Sequence, residues 1–225
     1  MQIQRTSSTM YYDELRDATN QVRSHYRTYA DWLTAMPPER IGHKRTEAEM
    51  LFHRVGITFA VYGEEDATER LIPFDIVPRI IPAQEWQLLE RGLVQRVKAL
   101  NMFLHDVYHE QAVFRKGLVP REKVINNSQY RSVMHGIDVP AGIYAHVAGI
   151  DLVRAGAGEY FVLEDNLRVP SGVSYVVENR RLMRRAFPDL FEGIDVTPVE
   201  DYGLRLRQAM AEVAPFLLLC EKLGS

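Results

Sequence analysis

Residues 151 to 172 read DLVRAGAGEYFVLEDNLRVPSG. The stretch has the pattern of two short strands around small residues. Yet Asp151, Glu164, Asp165 and Asn166 stand where a plain hairpin favours apolar or β-branched side chains. With Ala157 and Gly158 as a two-residue turn, Gly156 faces Glu159 and Asp151 faces Glu164. Directly opposed side chains have Cβ atoms about 4.5–5.5 Å apart, so like charges there repel. Side chains alternate along a strand, which puts Glu164 and Asn166 on one face and Asp165 on the other. Asp151, Glu164 and Asn166 thus form an expected patch of oxygen donors. A hard divalent cation such as Mg²⁺ suits that set, with donors at about 2.0–2.1 Å and water or phosphate oxygens completing the shell. A slip of one residue would separate the three. The competing reading is an edge hairpin with solvated carboxylates.

Arg168 follows two residues after Asn166, on the same strand face if the strand continues. Pro170, Ser171 and Gly172 then make a tight loop whose backbone can approach a ligand. Cation site, arginine and small-residue loop, in that order, suit phosphoryl chemistry, with charge stabilised by metal and guanidinium. Other groups carry weaker signals. Arg79, inside the apolar phrase VPRII, is either a buried ion-pair partner or an anion ligand. Arg96 reads as a surface salt-bridge former before a site residue. His105 and His109 have a metal-compatible spacing, but their interval is HDVYH without the glutamate of HExxH, so they read as surface histidines near a helix end. His146 reads as structural. In ENRRLMRR, Glu178 favours ion pairs at three- and four-residue steps, with Arg180 and Arg181 close enough to the 171–174 loop to meet an anion.

Elements must hold these groups. Tyr11, Leu15, Ala18, Val22, Tyr26, Tyr29 and Leu33 recur at helical steps, which predicts a helix over 10–36, ended by Pro37 and Pro38. A polar stretch then leads to an expected strand over 54–63, a loop at EEDATER, and an extended, proline-rich segment over 71–82. The clearest helix is 83–111. Trp86, Leu89, Leu93, Val97, Leu100, Leu104 and Val107 share one face, as expected of a core helix. Residues 112–142 are turn-rich. Helices are expected at 174–187, before Pro188, and at 199–217. The fold class is α+β, a mainly antiparallel sheet packed by long helices.

Composition sets bounds on partners. The chain has 225 residues and a formal net charge of -3, so no global basic field points to nucleic acid or to an anionic membrane. The one cysteine, Cys220, cannot form an internal disulfide, which fits a reducing, cytoplasmic setting. The N-terminal residues lack an apolar core of a secretory signal, and the run APFLLLC is too short to span a bilayer.

The hairpin triad and its flanking phrases, GITFAVYG, IPFDIVPRIIPAQEW, GLVQRVKALNMFLHDVY, GIDLVRAG and YFVLEDNLRVPSGVSYVVENR, resemble the circularly permuted ATP-grasp type 2 family, loosely related to glutathionylspermidine synthase. The likeness runs from about Arg54 to Phe191. It implies a ligase that uses ATP and Mg²⁺ to activate a carboxylate as an acyl phosphate, which an amine then attacks. Carried over by the resemblance, Asp151, Glu164 and Asn166 are metal ligands. Arg168 faces the phosphate as the catalytic residue, and Ser171 and Gly172 belong to the acceptor-side loop; Arg79 and Arg180 are added from their own setting as candidate cofactor-binding residues. The domain division expected is a helical segment over 1–40, from its own periodicity, followed over 41–225 by the metal-binding half of the permuted domain that the resemblance implies. The adenine pocket, phosphate-binding lysines and glycine-rich lid belong to a later part of such ligases, and no glycine-rich phosphate loop occurs before LLLCEKLGS. The expectation is therefore the first half of a ligase, as a truncated piece, an interrupted gene or one partner of a split enzyme, inactive alone. The alternative is a non-catalytic binding or assembly module that keeps the fold and needs a partner chain.

Overall fold

The computed structural model describes residues 12–55, 58–60, 69–71 and 75–214. They divide into two compact units. Unit 1 takes the described residues of Met1–Ala83, Arg154–Phe161 and Ser171–Glu200; unit 2 takes those of Gln84–Val153, Val162–Pro170 and Asp201–Ser225.

Unit 1 begins without the expected long helix. Residues 12–23 are irregular, with an isolated bridge between Arg16 and Val22. The reason is local competition for backbone amides. Asp13 accepts from the amides of Leu15 and Arg16, and Asp17 from those of Thr19 and Gln21. Such turns displace the helical ladder even where apolar spacing suits a helix. Regular helix starts at α1 (Arg27–Ala35), after a single 3₁₀ turn at Ser24–Tyr26. The two prolines then start a helix as well as ending one. Pro38 opens α2 (Pro38–Val55), and the Pro37 carbonyl accepts from the Arg40 and Ile41 amides. The polar stretch expected to be a connector is thus helical. Of the strand expected over 54–63, Arg54 and Val55 instead close α2, and residues 58–60 form β1 (Thr58–Ala60), paired antiparallel with β2 (Glu69–Leu71). Residues 61–63 of that strand, with its expected close at Gly63, and residues 64–68 of the expected loop lie outside the described residues; Glu69 and Arg70, expected to end the loop, belong to β2 because they pair with Ala60 and Phe59. Residues 75–82 carry no regular structure, as the prolines require.

The core of unit 1 joins Tyr26, Tyr29, Ala48 and Phe52 to Leu182, Met183, Ala186, Phe187 and Leu190. The latter come from α6 (Val173–Ala186) and α7 (Pro188–Glu192), with Phe187 between them. Tyr29 and Phe52 are 0% and 2% exposed. Trp32 packs edge-on against Phe187, with ring centroids 5.3 Å apart. The Tyr26 hydroxyl ties this core to the proline-rich segment, accepting from the Ile80 amide at 2.9 Å.

Unit 2 is built on α3 (Ala83–Tyr108), followed by short α4 (Ala112–Arg115) and α5 (Arg121–Ile125) and by α8 (Tyr202–Glu212). The expected face of α3 is its half-buried face, at Leu89, Leu93, Val97, Leu100 and Leu104. Full burial is confined to Val107 and Tyr108, and Trp86 is 47% exposed, so α3 is less of a core helix than its pattern suggests. Strands β3 (Gly149–Gly156) and β4 (Glu159–Asn166) form a second two-stranded sheet. The fold class is α+β. No described helix is long and apolar enough to cross a membrane.

Candidate functional site

The hairpin is built around the expected two-residue turn. Its strands are of equal length on either side of Ala157 and Gly158, and Gly158 takes φ 73°, a value that favours glycine. Both ends give the register. A Cβ placed on Gly156 would lie 3.6 Å from Glu159 Cβ, and one on Gly149 would lie 3.6 Å from Asn166 Cβ. Between those pairs Asp151 falls opposite Glu164. Asn166 donates its side-chain amide to Glu164 Oε1 at 2.8 Å, so these two side chains share a face. Among the described residues neither Asp151 nor Glu164 has an ion-pair partner. Two opposed carboxylates and an amide oxygen with its lone pairs free are a donor set that fits a hard cation such as Mg²⁺.

Asp165 points the other way and is engaged. Arg96 grips it with both arms of its guanidinium, Nε to Oδ1 at 2.7 Å and Nη2 to Oδ2 at 2.6 Å. That bidentate pair holds the Asp165 carboxyl below its ordinary pKa and ties α3 to β4 within unit 2. Arg96 is therefore a salt-bridge former, as its setting in the sequence suggests. Arg168 departs from expectation. Regular strand ends at Asn166, so Arg168 is not on the ladder; it donates to Gln129 Oε1 at 2.6 Å. The chain bends at Arg168, and Pro170 then packs onto Gly149, where an added Cβ would meet Pro170 Cβ at 2.7 Å.

Ser171, Gly172, Arg79 and Arg180 belong to unit 1. Ser171 is exposed, and Gly172, at φ 94°, caps the start of α6 with its carbonyl accepting from the Tyr175 and Val176 amides. Arg79 is an ion-pair partner, though 61% exposed in its side chain and not buried. Its guanidinium donates twice to Glu14, Nε to Oε2 at 3.0 Å and Nη2 to Oε1. Glu14 also lies 3.6 Å from Nη1 of Arg154, whose side chain is 5% exposed and stacks over the rings of Tyr12 and Tyr160. Nothing in the local pattern marks Glu14 or Arg154 as this pair's members. Arg180 donates to the Thr197 carbonyl at 2.9 Å; desolvation, then the neighbouring Arg184, pushes its pKa down. On the same helix Arg181 pairs with Glu178 three residues away, as the ion-pair reading expects, while Arg184 lies 3.9 Å from Glu200, a partner outside that spacing. His146 is exposed.

The model of a family described as a circularly permuted ATP-grasp matches residues 78–218. An uncharacterized protein of Synechocystis is 45% identical over 215 residues, which are 96% of this chain and 45% of that protein. An uncharacterized protein of Mycobacterium leprae is 44% identical over 210 residues, 92% of this chain and 36% of its own length. A protein of Frankia casuarinae named putative glutamate–cysteine ligase is 42% identical over 210 residues, 91% of this chain and 23% of its length. The chain thus spans less than half the length of these relatives. The matched region contains β3, β4 and α6, with every residue that the sequence singles out for metal, phosphate or acceptor. The chain belongs to the circularly permuted ATP-grasp family.

Proposed function

We propose that this chain is the metal-binding half of an ATP-dependent carboxylate–amine ligase that works through an acyl phosphate, in the glutathionylspermidine synthase-like branch of its family. The observation that carries it is the opposed pair Asp151 and Glu164, with Asn166 beside Glu164, left without a cationic partner among the described residues of a chain of this family. In this reading Asp151, Glu164 and Asn166 hold Mg²⁺, which supplies neutralisation of phosphate charge when bound. Arg168 exchanges Gln129 for the phosphate transferred to the acid, where its fixed positive charge favours the crowded transition state. Ser171 and Gly172 orient the acceptor at the start of α6. Arg180, already desolvated, gains by meeting an anion, and Arg79 can meet one only by leaving Glu14. The adenine pocket and lid come from a further segment or a second chain. The name glutamate–cysteine ligase does not pass to this chain, because the match covers less than a quarter of the protein that carries it.

The test is turnover in a full-length relative bearing this segment, read as ADP release with a mixture of amino acids. Asp151→Asn and Glu164→Gln should each lower it by at least about a hundredfold, several kcal/mol of lost charge stabilisation. Turnover unchanged in both would remove the metal assignment. Calorimetry with Mg·ATP decides the other half of the proposal: tight nucleotide binding by this chain alone would show that no second half is needed. Binding of a protein partner without any turnover would favour the non-catalytic module.

A further inference from the structure

We infer that His105, His109 and Asp138 form a second metal site, for a divalent transition ion of the zinc type, built on the C-terminal end of α3 and independent of the hairpin carboxylates. The two histidines stand one turn apart, and their rings stack with centroids 4.0 Å apart. Asp138 comes from the loop that returns to this helix end. Ligand-capable atoms of all three lie within 4.8 Å of one another.

The hydrogen bonds of His109 favour an occupant. Its Nδ1 lies 2.9 Å from the His105 carbonyl. A carbonyl only accepts, so Nδ1 carries the proton and the neutral ring presents a lone pair at Nε2. That nitrogen is buried and has no hydrogen-bond partner among the described residues, while Asp138 Oδ1 faces it at 3.3 Å. Two acceptors facing each other at that distance repel unless a proton or a cation lies between them. A backbone carbonyl orienting a histidine for its metal is the usual outer-shell arrangement.

The surroundings are fixed in advance. Gly136 donates its amide to the Tyr108 carbonyl at 2.8 Å, anchoring the loop that carries Asp138. Asn101 Oδ1 accepts from the Tyr144 and Ala145 amides at 2.7 and 3.0 Å, and the Tyr144 hydroxyl lies 3.4 Å from His105 Nδ1. Asp106 accepts the Ala112 and Val113 amides, each at 2.9 Å, which fixes the chain reversal just after His109. Zinc bonds of about 2.0–2.1 Å in tetrahedral geometry need donors roughly 3.4 Å apart. His109 Nε2 and Asp138 Oδ1 already stand 3.3 Å apart, so the contraction falls on His105, whose exposed ring can turn about its side-chain bonds. Two imidazoles and one carboxylate leave a position for water and prefer zinc-type ions to Mg²⁺.

The experiment titrates the tag-free chain with Zn²⁺, and with Co²⁺ as a spectroscopic probe, in excess Mg²⁺ to fill hard-oxygen sites. One equivalent of Zn²⁺ should bind, and Co²⁺ should give a visible absorption band. His109→Ala and Asp138→Asn should each weaken Zn²⁺ binding by about tenfold or more and abolish the band. His43→Ala, on α2, should change neither. Asp138→Asn guards against misfolding as the cause, since its side chain is almost wholly in water. Binding absent from the wild type, equal in Asp138→Asn, or equally weakened by His43→Ala would overturn the site and leave an imidazolium–carboxylate pair in its place.

Discussion

Glu14→Gln tests how unit 1 holds its arginines. The carboxylate meets Arg79 through two donors and lies 3.6 Å from Arg154. Arg79 is 61% exposed in its side chain, so water recovers it after the change, and its share is that of a surface pair, about 0–1 kcal/mol. Arg154 is the larger loss, because its side chain is 5% exposed. Breaking a fully buried pair costs about 3–5 kcal/mol. Three things reduce that here. The contact is long, glutamine keeps an acceptor oxygen, and the cation stays over Tyr12 and Tyr160 at 4.6 and 5.4 Å. The expected destabilisation at pH 7 is about 1–2 kcal/mol. Hydrogen bonding from Arg79 outweighs desolvation and holds the Glu14 carboxyl below its ordinary 4.5. A carboxyl lowered by folding contributes its stability above the unfolded pKa and loses it as pH falls through the folded one. The gap between wild type and variant should therefore be constant near neutrality, shrink below about pH 4.5, and vanish once the folded carboxyl is protonated. The assay is urea unfolding followed by Trp32 in a Trp86→Phe background, since Trp32 lies against Phe187 in this core and the chain has two tryptophans. A gap that stays constant down to pH 3, or one within error of zero at pH 7, would refute the reasoning.

Asp151→Asn should raise the stability of the metal-free chain by about 0.2–1 kcal/mol, because it removes one of two opposed like charges. The same variant should lose any rise of melting temperature with Mg²⁺; a rise equal to that of the wild type would count against the ligand role. Gly149→Ala should lower the urea midpoint, costing about 1–3 kcal/mol, because the new methyl meets Pro170 Cβ at 2.7 Å. Phe52→Ala removes a ring that is 2% exposed and should cost about 3–5 kcal/mol, read by Trp32 fluorescence; a cost below 1 would mean that α2 and α6 do not share this core.

The hairpin was legible because a two-residue turn, alternating strands and a glycine all specify the same register, which places Asp151 opposite Glu164. The start of α6 was legible for a similar local reason: Pro170 and Gly172 break the strand and cap the helix. What escaped the sequence was set by contacts that compete with local patterns or span long separations. Residues 12–23 have helical spacing, but Asp13 and Asp17 capture the amides that a helix would use. Helix α2 was hidden because Pro38 has two roles, stopping one helix or starting the next, and its polar sequence gave no reason to choose. Arg96 and Asp165 are 69 residues apart, and no spacing rule connects Asp138 with His105 and His109. The periodicity of α3 predicted which face is turned inward, but periodicity carries no information on how much apolar surface waits to cover it.

The core of unit 1 also sets a schedule for synthesis. Phe52 must wait for Leu182 to Leu190 before it can be covered, roughly 130 residues later, which takes about 6–26 s at ribosomal rates of about 5–20 residues per second. During that interval Tyr26, Tyr29, Ala48 and Phe52 lack their final partners, while residues 84–153, most of unit 2, emerge in one continuous piece. Unit 2 can thus begin to order during translation, and the earlier part of the chain stays open to chaperones until α6 appears. Slowing the ribosome within residues 84–153 should lengthen that exposure without altering the finished fold.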